Sequence, residues 1–137
     1  VHLRADELNR FGERLGRELR AAGRPAVIGF SGELGAGKTT LVQAVCRGLE
    51  AGAPATSPTY ALVHRYAAEP PIYHVDCYRL KAPDDARDLG FDDMIREGAI
   101  VLIEWPERAG PWLPPLDRRF RLAHDAADPL VRIVEEA

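Results

Sequence analysis

The sequence predicts an α/β fold, and three observations carry that reading. Residues 26–49 run as a short apolar segment, a glycine-rich loop and an amphipathic segment, in that order. Residues 99–105, "AIVLIEW", are the most continuous apolar run in the chain. Around these two, helical and strand-like periodicities follow one another along the rest of the sequence. At 137 residues the chain reads as one domain, 1–137, long enough to bury a core and short for two.

Taken in order, Leu8, Phe11, Leu15 and Leu19 recur at steps of three and four among charged residues, one apolar face of a helix that ends at "AAGRP". "AVIGF" (26–30) reads as a buried strand, and Lys38 to Leu49, with Leu41, Val42, Val45 and Leu49 apolar, as a second helix. "YALVHRY" (60–66) and "IYHVDCY" (72–78) read as a hairpin-like pair of strands around "AAEPP". "DDARDLGFDDMIREG" (84–98) is helical but interrupted at Gly90, which predicts two short helices. "AIVLIEW" is the central buried strand. Pro106, Pro111, Pro114 and Pro115 predict a rigid loop after it. "RRFRLAH" (118–124) and "LVRIVEE" (130–136) predict two closing strands around "DAADP", at a sheet edge where Pro129 is tolerated.

Composition narrows the function classes. An apolar fraction of 46% with 28% charged residues is that of a soluble globular chain, and no apolar run approaches a membrane span. "VHLRADELNR" carries charges of both signs and no apolar core of a secretory signal, which favours the cytoplasm. Cys46 and Cys77 lie in no CxxC and beside no paired histidines, so both are expected as buried free thiols. A net charge of −3 argues against a chain that grips nucleic acid unaided. Arg118, Arg119 and Arg121 form a small basic cluster, read as a solvated strand face.

The chemistry concentrates in "SGELGAGKTTL" (31–41). Gly32 to Thr39 fits GxxxxGK[ST] at every fixed position, a match expected by chance in about one in a thousand sequences of this composition, or fewer. Two of the eighteen basic residues are lysines, and one of them, Lys38, stands where a slender ammonium must reach the β and γ phosphates. Gly35 and Gly37 permit a concave turn whose N–H groups converge on phosphate oxygens, and the helix N-terminus adds its dipole. The nucleotide contacts expected are therefore Gly32, Glu33, Leu34, Gly35, Ala36, Gly37, Lys38, Thr39 and Thr40, with the Thr39 hydroxyl on Mg2+.

Such a cradle needs a carboxylate at the tip of a neighbouring apolar strand. Glu104 ends "AIVLIE" and is the better match; Asp76, in "HVDCYR", is the second candidate. With both at the phosphates, Glu104 would hold the metal and Asp76 a metal-bound or attacking water. Alternatively, either acid is ion-paired, for instance with Arg79 or Arg108. Thr59 in "TSPTY" is a candidate sensor of metal or γ-phosphate, or else a hydroxyl cap in a turn fixed by Pro58. His74 reads as a packed strand histidine sooner than a catalytic one. Trp105 and Trp112 read as loop anchors, and Trp105, directly after the acid, borders the nucleotide.

Together "GELGAGKTTLVQ", "TSPTY", "HVDCYR" and "IEWPERAG" closely resemble the TsaE (YjeE-type) family over residues 5 to 122. The resemblance implies a three-layer P-loop NTPase-like fold with a mixed, mainly parallel central sheet. It further implies a weak ATPase of the bacterial machinery that makes threonylcarbamoyladenosine in tRNA, acting with TsaB and TsaD and reaching tRNA through them. By motif, Lys38 and Thr39 would be the Walker residues, Glu104 the magnesium-associated acid, Asp76 a residue needed for hydrolysis and Thr59 a switch-like residue, with Trp105 near the nucleotide. Cys77, Leu8 and the loop "EAGAPA" (50–55) depart from the family pattern.

ATP is favoured over GTP because Asn9 is the single asparagine, which leaves no NKxD to read guanine, and no DxxG is present. A small-molecule kinase is the main alternative, but it needs a lid and an acceptor pocket. A nucleotide-switched binding module with incidental hydrolysis is the third reading.

Overall fold

A computed structural model describes residues 1–52, 54–56 and 63–137. Its described strands form one eight-stranded sheet in the order β1-β8-β7-β2-β6-β5-β4-β3. These are β1 (His2–Leu3), β2 (Ala26–Gly32), β3 (Pro54–Thr56), β4 (Val63–Tyr66), β5 (Ile72–Asp76), β6 (Ile100–Glu104), β7 (Arg118–His124) and β8 (Arg132–Glu136). The four central strands β7, β2, β6 and β5 are parallel, and antiparallel strands flank them on both sides. The expected α/β class with a mixed sheet and a parallel centre is what the chain forms.

The middle strand shows why three layers arise. Every residue of β6 is buried, yet successive side chains point to opposite faces of the sheet. Ile100 and Leu102 join Ile28, Phe30, Phe120 and Leu122 under the helices α1 (Ala5–Ala22) and α2 (Lys38–Gly48). Val101 and Ile103 join Val27 and Val75 under Leu89, Phe91, Met94 and Ala109 on the other face. A strand buried on both faces must be apolar throughout, so "AIVLI" carries no alternation.

Helix α1 begins where the Glu7 carboxylate accepts the Arg4 N–H at 3.1 Å, and it ends at Gly23 in the left-handed region. The interruption expected at Gly90 is real. A 3₁₀ segment, Pro83–Leu89, stops at this glycine (φ 86°), and the short helix α3 (Phe91–Arg96) starts from it. The Trp112 indole donates to Asp84 at 3.0 Å and lies under the Arg87 guanidinium, anchoring the second face as expected of it.

Four expectations need correction. The closing strands are not at an edge: β7 pairs with β2 and β8, and β8 pairs with β1, whose two residues are too short to show a period. Pro129 lies outside β8, so it costs no ladder bond. The proline-rich loop after β6 is wound as 3₁₀ turns over Pro106–Trp112, because a proline at the first helical position loses no bond there. Within "EAGAPA", Pro54 and Ala55 belong to β3, which pairs with β4. Finally, the basic cluster is not uniformly solvated. Arg121 is exposed, Arg118 pairs with Glu136, and the Arg119 Nε is buried with no partner among the described residues.

Candidate functional site

The carboxyl ends of β2, β6 and β5 meet side by side, which is where open parallel sheets present ligands. Register places Phe30 and Asp76 on either side of Glu104, so the two candidate acids are neighbours on adjacent strand tips. The loop from β2 into α2 closes over them. At Gly32 (φ 136°) an added Cβ would lie 1.9 Å from the Leu122 carbonyl oxygen, a clash that excludes any side chain. At Gly37 (φ 98°) the chain turns through the left-handed region directly into the first turn of α2, whose unpaired N–H groups form the anion-binding end of the helix.

A cleft of about 280 Å3 opens here, lined by Leu34, Gly35, Gly37, Lys38, Thr39, Thr40, Asp76, Tyr78, Glu104 and Trp105. Of the expected contacts, Gly32, Glu33 and Ala36 shape it from outside the lining. Glu33 and Ala36 donate N–H bonds to the Leu122 and Glu33 carbonyls, at 3.3 and 3.1 Å. Thr59 lies outside the described residues. A larger groove of about 550 Å3 runs between α1 and the β7–β8 pair, but it contains no part of the phosphate cradle.

Lys38 is buried, with its ammonium donating to the carbonyls of Gly32 (2.8 Å) and Glu33 (2.5 Å). The Trp105 ring centroid lies 4.1 Å from the same nitrogen, a cation–π contact. Burial pulls the Lys38 pKa below its ordinary value, against the opposing pull of Glu104, Glu107, Asp76 and Glu33. Trp105 reaches this position because its backbone is left-handed (φ 55°, ψ 51°), an arrangement that costs a non-glycine residue about 1–2 kcal/mol. The Tyr78 ring packs against the indole, with centroids 4.9 Å apart and planes tilted by 44°.

Glu104 is 2% exposed, and both its oxygens are engaged. The Thr39 hydroxyl donates to Oε1 at 2.7 Å, and the His74 Nε2 lies 2.5 Å from Oε2. The acid is therefore not paired with Arg79 or Arg108. Arg108 instead lies over the Tyr78 and Trp105 rings and donates to the Tyr78 carbonyl at 3.1 Å. Asp76 is half-buried and accepts the Tyr78 N–H at 3.0 Å. A hydroxyl and one or two carboxylates are hard oxygen donors, the set that suits Mg2+ when phosphates and waters complete its shell. No group of three His, Cys, Asp or Glu side chains forms a metal cage among the described residues.

The structure places Lys38, Thr39, Asp76, Glu104 and Trp105, all candidates from the sequence, in the lining of one cleft. Sequence reasoning missed His74 as the partner of Glu104. The signal was present in "HVD": alternate strand residues share a face, so His74 and Asp76 both point to the α2 side, where the acid also turns.

Related proteins identify the family. A family model described as "Threonylcarbamoyl adenosine biosynthesis protein TsaE" matches residues 3–132. The chain belongs to the TsaE family. A protein of Streptomyces coelicolor named "tRNA threonylcarbamoyladenosine biosynthesis protein TsaE" is 40% identical over 124 residues, 88% of this chain and 80% of that protein. Proteins of the same name from Haemophilus influenzae and Nostoc are 40% and 42% identical over 66% and 73% of this chain. The matches span 58% and 62% of those two proteins' lengths. The crystal structure of Bacillus subtilis YdiB superposes with a TM-score of 0.69 at 24% identity, covering 100% of this chain and 84% of that one, and so shares the fold.

Proposed function

We propose that this chain binds ATP with Mg2+ and hydrolyses it slowly, as the ATPase component of the machinery that makes threonylcarbamoyladenosine in tRNA. The observation that carries the reading is the Thr39–Glu104 hydrogen bond at 2.7 Å, beside a buried Lys38 in a glycine-lined cleft. Phosphate ligand, metal ligand and acid, which the sequence scatters over 66 positions, meet at one helix N-terminus. The family membership supports the pathway.

In this reading Lys38 leaves its two carbonyl partners for the β and γ phosphates, and the backbone of Gly35 to Thr40 receives the remaining oxygens. Thr39 and Glu104 would hold Mg2+, which neutralises charge developing on the phosphates. Asp76, one strand away, orients the attacking water or a water of the metal shell. Trp105 borders the nucleotide. Hydrolysis by such sites is slow until a partner completes them, and TsaB with TsaD are the partners proposed, with tRNA reached through them.

The test is phosphate release from Mg-ATP by the chain alone and with TsaB plus TsaD, in parallel with radiolabelled ATP and small acceptors. Slow release raised by the partners, with no labelled acceptor, is expected. Transfer of label to a small molecule would make the protein a kinase and overturn the reading. Glu104→Ala should lose magnesium-dependent release while metal-free nucleotide still binds; unaltered release would move the metal role elsewhere.

A further inference from the structure

We propose that His74 is a positioning residue for the metal site, one that holds Glu104 in its metal-facing orientation without touching the nucleotide. The inference rests on the magnesium–nucleotide reading above. His74 is 7% exposed and lies behind Glu104, outside the residues lining the cleft. A carboxylate can only accept, so the 2.5 Å contact fixes the imidazole proton on Nε2, pointing at Oε2. The second oxygen is then left to the Thr39 hydroxyl.

The reason this matters is the neighbouring cation. Lys38 and Glu104 attract one another, and of the carboxylates that pull on the ammonium Glu104 pulls most strongly. A buried carboxylate must satisfy both oxygens, and the Lys38 ammonium offers one freed from His74 a charged partner. That rotation would neutralise the cation meant for phosphate and withdraw the acid meant for metal. His74 removes the option by occupying Oε2. The imidazole is itself held from the far side. His64 on β4 is its direct cross-strand partner, with ring centroids 5.9 Å apart and planes tilted by 44°. The pattern is that of groups behind metal ligands that fix ligand orientation.

The experiment compares wild type, His74→Phe, His74→Gln and His74→Asn by calorimetric titration of ADP, with excess Mg2+ and with EDTA. Glutamine carries an N–H donor near the position of Nε2, asparagine is one methylene shorter, and phenylalanine keeps the volume without a donor. In His74→Phe and His74→Asn the magnesium-dependent gain in affinity should fall about 10–100-fold, with EDTA affinity nearly unchanged, while His74→Gln keeps most of the gain. An undiminished gain in His74→Phe or His74→Asn overturns the proposal, as does loss of folding in all three, which would make the residue structural. If His74→Phe alone fails to fold, the asparagine–glutamine contrast decides. Absence of any magnesium-dependent gain in wild type instead rejects the parent reading.

Discussion

Within the eleven residues of α2, the first turn and the turns after it meet their neighbours by opposite physics. The Lys38 ammonium donates to the Gly32 and Glu33 carbonyls and the Thr39 hydroxyl to the buried Glu104 carboxylate, through polar contacts of 2.5–2.8 Å. Further along, Leu41, Ala44, Val45 and Gly48 press against α1 through backbone and methyl groups. There an added Cβ at Gly16 would lie 2.2 Å from the Val45 carbonyl, and one at Gly48 2.1 Å from the Glu13 carbonyl. The same helix thus carries a costly polar end on a closely packed apolar stem. The rigidity of the stem is what fixes where the polar end sits.

If that division is real, substitutions at the two ends should separate function from stability. Lys38→Ala should lower phosphate release by about 10²–10³-fold, the scale for removing one preorganised charge from a transition state. Its melting temperature should move by only a few degrees, about the effect of 1 kcal/mol in a chain this long. A melting temperature that falls as far as the rate would erase the distinction.

Gly16→Ala should do the converse. Its methyl group meets backbone, which cannot step aside as a side chain does, so a loss of about 1–3 kcal/mol and roughly 4–12 °C is expected in thermal unfolding. Measured well below its own midpoint, the variant should bind ADP like wild type. Weakened binding by a fully folded variant would show that the stem tunes the cradle and does more than support it.

Cys46 tests the apolar character of the stem through pH. Burial pushes its thiol up to about 11, partly offset by the Tyr66 hydroxyl and Arg47. An unfolded thiol ionises near about 8.5, so between these values the unfolded chain releases a proton that the folded chain keeps. The resulting stability is complete at neutral pH and is lost as pH rises through that window, at up to about 1.4 kcal/mol per unit. Urea unfolding of wild type and Cys46→Ala at pH 7.5 and 9.5 isolates this slope. Equal slopes in the two proteins would place the thiol in a wetter site than the packing indicates.

How much of this was legible in the sequence follows the same division. The stem and central strands were read correctly because burial imposes a period or an unbroken apolar run, as in Leu8 to Leu19 and "AIVLI". The glycine-rich loop between β2 and α2 was legible because the motif for a phosphate site constrains glycines, lysine and threonine at fixed spacing. What escaped was decided by pairing between distant segments. Two residues, His2 and Leu3, cover β8 and move the sheet edge, and no local pattern announces that. His74 looked like core because it is core; its function depends on an acid 30 positions away that reaches across from the next strand. Thr59, expected at the site, lies outside the described residues.

The smallest effect should come from Arg47, in the last turn of α2, where the helix surfaces. Its guanidinium spans to Glu13 (3.2 Å) and to the Asn9 side-chain carbonyl (2.8 Å) on α1, outside the glycine contacts. The cation also sits at the helix C-terminus, where the dipole favours it. Both terms act near water, where an exposed pair contributes about 0.2–1 kcal/mol and weakens with salt. Arg47→Ala should therefore lose about a third of what Gly16→Ala loses in urea unfolding, the ratio of the middles of these two ranges. Most of that small loss should vanish between 0.05 and 0.5 M NaCl, roughly the span over which the screening length contracts below the reach of such a pair. A loss that survives high salt would mean that the aliphatic part of the arginine is packing between the helices. The apolar stem would then extend through the last turn of α2.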